Sequence, residues 1–206
     1  MTRARFTAMT RCAWPAPPTE GKEIAILFKA SGGGERIREN LQVPQGVLLQ
    51  FQEKGSYRLP DVLAYILDFG SLANRPSRGF EPRQGYAAPK PGKRIIYLLD
   101  WFSPHLDPQV DTLIHSAGHA VLRIGGHLTG LVQVEDTHAH GPMTRAYKKL
   151  ETLEAFEQLE LRPDRLPSTS RQTVMDRALG SWHAVNHESC SRGFVSNGIA
   201  NKNGWV

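Results

Sequence analysis

Arg94-Ile95-Ile96-Tyr97-Leu98-Leu99-Asp100 is an apolar run entered from a basic residue and left through a carboxylate. Its length and its β-branched and aromatic content predict a buried strand. Just beyond it, Asp107-Pro108 supplies a cap and a first-turn proline for a helix carrying Val110, Leu113 and Ile114, with Gly118 as the stop. Residues 120–124 then predict a short strand, ended by Gly125-Gly126. A strand–helix–strand run of this kind implies a parallel pair with a right-handed crossover. Ligands of open α/β sheets gather beyond the carboxyl ends of the strands, which is where Asp100 falls.

Working outward, residues 6–10, 24–29 and 47–52 predict three further strands. Prolines in residues 12–21 exclude regular structure there. Residues 59–69 predict a helix, opened by Pro60-Asp61 and carrying Leu63, Ile66 and Leu67. Residues 71–93, rich in Pro, Gly and Arg, predict a long loop without apolar periodicity. On the carboxyl side, residues 142–161 carry Met143, Ala146, Tyr147, Leu150 and Leu153 on one stripe and predict an amphipathic helix. A last helix opens at residue 168 and carries Val174, Ala178, Leu179, Trp182 and Val185. Strands first, then alternating strands and helices, predict an α/β fold.

The chain of 206 residues is long enough for one domain with a proper core. No apolar stretch reaches the ~18 residues that read as a membrane span, so no membrane association is expected. The amino-terminal residues lack the apolar segment of a signal peptide. Cys12 and Cys190 are too few for a disulfide framework, which predicts free thiols in a reducing, intracellular compartment. The net charge of +5 is unevenly spread. Residues 1–94 hold 15 Lys/Arg against 8 Asp/Glu, and residues 95–206 hold 10 against 12. A basic half beside acidic side chains suits a polyanionic substrate, although a solvated basic surface would look the same.

Two carboxylates carry the candidate chemistry. Asp100 ends a strand, and Asp136 stands at the start of a helical pattern after Thr129-Gly-Leu-Val-Gln133-Val-Glu135. Such a pair can converge on a hard divalent cation, which takes oxygen ligands. Glu135 could join them only where the backbone turned it inward, since in a strand its side chain would oppose that of Asp136. Asp136 could equally serve as a cap for the helix that follows.

Asp100-Trp-Phe-Ser-Pro-His105 resembles the D-N-x-x-x-H segment around the second acid of DDE-type transposases of the pogo/jerky branch. Thr129, Gln133 and Asp136 have the spacing of that family's T-x-x-x-Q-P-x-D segment, which carries its third acid. Tyr147-Lys148-Lys149 resembles the family's K-x-x-Y run in inverted order, and Phe194-Val-Ser-Asn-Gly198-Ile199 its F-x-x-x-G-I end piece. The four matches occur in the family's order between Asp100 and Ile199, and the resemblance as a whole runs roughly from Phe6 to Ile199. Trp101 stands where the family has Asn, and Val134 where it has Pro.

The resemblance implies a ribonuclease-H-like mixed sheet flanked by helices, with the first strand missing. Residues 1–161 would form that partial domain and residues 162–206 its helical extension. It implies two-metal phosphodiester hydrolysis or strand transfer on DNA, with Asp100 and Asp136 as catalytic residues and as ligands of Mg²⁺ or Mn²⁺. In such sites the two cations lie about 3.5–4 Å apart. His105, Gln133 and Thr129 would support the site. DNA is the implied partner, a homodimer the implied assembly and the nucleus the implied location; no DNA-contacting residue is singled out. No acid precedes Phe6, so the family's first acid is missing. Catalytic incompetence is therefore expected, and a non-catalytic remnant that binds DNA or protein is the alternative.

Histidines offer a competing reading. His115 and His119 are spaced i, i+4, as two zinc ligands on one helix face would be, but Gly118 between them predicts the helix end. Asp136-Thr-His138-Ala-His140 resembles the opening motif of TatD-type amidohydrolases, whose barrel needs about 250 residues. Only 66 residues follow His140.

Overall fold

A computed structural model describes residues 6–10, 24–30, 40–44, 47–69, 95–165, 167–201 and 204–205. The expected loops at 12–21 and 71–93, and Cys12, lie outside the described residues. In chain order the elements are β1 (Phe6–Met9), β2 (Ile24–Lys29), β3 (Val47–Gln52), α1 (Leu59–Phe69), β4 (Ile96–Asp100), α2 (Pro108–Ser116) and β5 (Ala120–Ile124). A single helical turn (Thr129–Val132) and a π-helical turn (Glu135–Ala139) follow. Then come α3 (His140–Leu161), α4 (Arg171–His183), α5 (His187–Ser196), β6 (Ala200–Asn201) and β7 (Gly204–Trp205). The class is α/β, with a small mixed sheet and several helices. Among the described residues no helix is long and apolar enough to cross a membrane.

The chain divides into two compact units that interleave along the sequence. The first holds β1, β2, β3, α3 and α4. Its sheet has the order β1-β2-β3: β2 runs antiparallel to β1, with Phe6 opposite Phe28, and parallel to β3, with Ile26 opposite Leu49. Every residue from Ile24 to Phe28 is fully buried, as a strand paired on both sides and covered on both faces must be. Val174, Met175, Ala178 and Trp182 of α4, with Val185 just beyond it, complete the buried apolar set. Ser170 caps α4 by accepting the Thr173 amide at 3.0 Å.

The second unit holds α1, β4, α2, β5, α5, β6 and β7. The predicted strand–helix–strand run is present: β4 and β5 pair in parallel around α2, with Ile96 opposite Ala120 and Asp100 opposite Ile124. Asp107 caps α2 by accepting the Gln109 amide at 2.9 Å, and Pro108 fills its first turn. Gly118 follows the helix at φ +80°, a left-handed conformation that glycine adopts without steric cost. Two expectations fail. β4 is not a buried strand, because all five of its residues are only half-buried. β5 is its sole ladder partner among the described residues. Residue 168 does not open the last helix either. α5 follows α4, with Cys190 and Phe194 buried, and a two-residue hairpin β6–β7 follows that.

Candidate functional site

Asp100 is the last residue of β4, and the chain turns at once into a 3₁₀ turn (Ser103–Leu106). That turn brings His105 back onto the strand end, where its Nδ1 lies 2.5 Å from Asp100 Oδ1. The Phe102 amide also donates to Oδ1, at 3.2 Å. The histidine hydrogen bond is the main reason the Asp100 carboxyl stays below its ordinary value of 3.8; burial pushes the other way and loses. The Phe102 ring and the imidazole form a T-shaped pair, with centroids 5.3 Å apart and planes at 83°. Trp101, next to the carboxylate, is 60% exposed. Its Cβ lies near Gly126.

The contact network extends to two residues that the sequence reading did not single out. Arg123 of β5 donates through Nη2 to the His105 carbonyl at 2.9 Å and to Asp111 Oδ1 of α2 at 2.8 Å. It thereby ties strand, helix and 3₁₀ turn together behind the Asp100–His105 pair. Its Nε is buried without a hydrogen-bond partner in the structure. The available signal was a lone arginine inside Ala120-Val-Leu-Arg-Ile124: a charge within a short apolar strand must find a counter-charge.

The second candidate segment is helical, not extended. Thr129 opens the single helical turn and donates its hydroxyl to the Gly126 carbonyl at 3.3 Å. Gln133 follows that turn, and its Oε1 is buried with no hydrogen-bond partner, an arrangement that costs about 1–3 kcal/mol. Asp136 lies exposed in the first turn of the π-helical segment, beside Glu135. A carboxylate there is favoured by the helix dipole. Because the backbone is helical, the alternation that would set Glu135 opposite Asp136 does not apply. Asn197, past the end of α5, was not singled out either. Its Nδ2 donates to the Val132 carbonyl and to Thr137 Oγ1, both at 3.0 Å, and Thr137 donates to the Gln133 carbonyl at 3.0 Å.

The fit to divalent cations follows from these contacts. One oxygen of Asp100 is committed to His105 and Phe102. Among the described residues no group of three or more His, Cys, Asp or Glu side chains gathers into a cation cage. A two-cation centre needs several oxygen ligands around each ion, and Asp100 and Asp136 would supply only part of them. The zinc reading fares no better. α2 ends at Ser116, so His115 and His119 do not share a helix face, and His119 Nδ1 accepts a long hydrogen bond from the Ile95 amide at 3.5 Å. Burial holds His119 below its ordinary value.

The run at Tyr147 has different company from that expected. Arg177 of α4, with only 2% of its side chain exposed, donates to Glu154 at 2.5 Å and to Glu151 at 3.3 Å. It also reaches the Tyr147 hydroxyl at 3.3 Å, and its guanidinium carbon lies 5.0 Å from the Tyr147 ring centre. Burial raises the Tyr147 phenol, and Arg177 opposes that rise. This is a clamp between α3 and α4, with Lys148 and Lys149 left exposed beside it. Compared with known proteins, the chain matches no family model, no curated protein and no solved structure.

Proposed function

We propose that the chain is a divergent DDE-type, transposase-derived domain directed at DNA, with Asp100 and Asp136 as its acids and a ribonuclease-H-like architecture. The reading rests on one contact. Asp100 and His105, the two ends of the segment that resembles D-N-x-x-x-H, meet directly at the carboxyl end of a parallel strand. That is the end of an α/β sheet where ligands collect. The histidine keeps the carboxylate ionised and fixes its orientation, with Arg123 and Asp111 bracing the turn behind it. The parallel β4–α2–β5 unit and the mixed β1–β2–β3 sheet are pieces such an architecture would contain.

The donor set favours a second reading, a non-catalytic remnant that binds DNA. Two acids without a third ligand among the described residues give weak purchase on Mg²⁺ or Mn²⁺. Calorimetric titration with Mn²⁺ separates the readings, comparing the chain with Asp100→Ala and Asp136→Ala, alongside nicking of supercoiled DNA and fluorescence anisotropy on a DNA duplex. Mn²⁺ binding lost in both variants, together with nicking, supports the nuclease. Salt-sensitive DNA binding without Mn²⁺ binding supports the remnant. A chain that binds neither Mn²⁺ nor DNA overturns both.

A further inference from the structure

α3 shows solvent a second apolar seam, set apart from the face that packs on α4. Met143 is buried, Tyr147, Glu151 and Glu154 engage Arg177, and Leu150 lies against Gly180. Lys149, Leu153, Phe156 and Glu160 are all exposed, Leu153 by 49% and Phe156 by 61%. Their spacing of four, three and four residues is that of successive core positions of a coiled coil, which keeps them on one narrow stripe. Among the described residues no ion pair engages Lys149 or Glu160.

The order of residues along the stripe is what identifies its occupant. Read forward it is cation, apolar, apolar, anion; read from the other end, each charge meets its opposite. We propose that this seam pairs with a second copy of the chain, antiparallel, about a two-fold axis midway between Leu153 and Phe156. Leu153 of each copy then packs on Phe156 of the other, and Lys149 of each faces Glu160 of the other. A parallel pair would set lysine on lysine and glutamate on glutamate, so the charges specify direction as well as partner. The contact is isologous, as a closed dimer requires. A seam of about three helical turns is small by the standard of stable interfaces, so the dimer is weak and forms at high protein concentration. The transposase resemblance implies a homodimer but no interface; this seam uses no residue of the Asp100 site and stands on the exposure and charge order of α3 alone.

Sedimentation equilibrium of the full chain over a wide concentration series tests it. The chain should dimerise; Lys149→Glu or Glu160→Lys alone should weaken dimerisation about tenfold, because two attractions become two repulsions. Mixing those two variants should restore a heterodimer, since in antiparallel pairing the altered residue of each meets its opposite charge. Phe156→Ser should leave a monomer with unchanged far-ultraviolet circular dichroism. A chain monomeric throughout the series, a dimer indifferent to both charge reversals, or a mixture no tighter than its components would overturn the proposal.

Discussion

Replacing either member of the Arg177–Glu154 pair should have unequal consequences, and the inequality follows from burial. Arg177 has 2% of its side chain exposed, whereas Glu154 has 32% and Glu151 44%. Glu154 accepts from both Nε, at 3.4 Å, and Nη2, at 2.5 Å, so it is the main partner of the fork. Glu154→Ala strands a buried guanidinium. Breaking a buried pair costs about 3–5 kcal/mol, and the remaining Glu151 and Tyr147 contacts reduce that to about 2–3 kcal/mol here. Arg177→Met replaces the buried fork with an unbranched apolar chain, while water takes up both freed carboxylates; the cost should be about 1 kcal/mol. Urea unfolding followed by circular dichroism measures each single variant and the double variant. At about 2–4 °C per kcal/mol, Glu154→Ala should also lower Tm by roughly 5–10 °C. Arg177→Met proving the costlier change, or a double-mutant cycle without coupling, would refute the reasoning.

Asp100→Asn should lose about 1 kcal/mol at neutral pH, where the carboxylate accepts from His105. The folded carboxyl lies below 3.8, so its contribution is fully present above that value and vanishes as pH falls through the folded-state value. Urea midpoints of the two chains should therefore converge in strong acid; an equal gap at pH 7 and in strong acid would contradict the assignment. Gly118→Ala should cost about 1 kcal/mol through backbone conformation alone, because φ is +80° and nothing lies within 4 Å of an added Cβ. Gly125→Ala, equally uncrowded and without a positive φ, is the control and should be close to neutral by thermal unfolding.

Where local chemistry decides structure, the sequence was readable. Asp107-Pro108 and Gly118 bound α2, and the five-residue spacing of Asp100 and His105 becomes a contact across one tight turn. Distant partners decide the rest. Arg177 looks like any surface arginine until α3 brings Glu151 and Glu154 from 26 and 23 residues away. Arg123 finds Asp111 only once β5 lies beside β4. β4 reads as buried because its letters are apolar, yet exposure depends on what covers a strand. α5 escaped notice because His187-Glu-Ser-Cys-Ser-Arg192 carries almost no apolar periodicity, and only Cys190 and Phe194 among its apolar residues are buried. The segment from Thr129 to Asp136 gave no sign that a π-helical turn would re-aim its acids.

Asn197 sets an order in time as well as in space. The amide that holds Val132 and Thr137 lies 65 and 60 residues downstream of them. On a chain emerging from the ribosome amino end first, the stretch leading to Asp136 is therefore complete long before its tether exists. Its final geometry waits for residue 197 to be made, and a message cut short before codon 197 would yield every letter of the acidic segment without the amide that secures it.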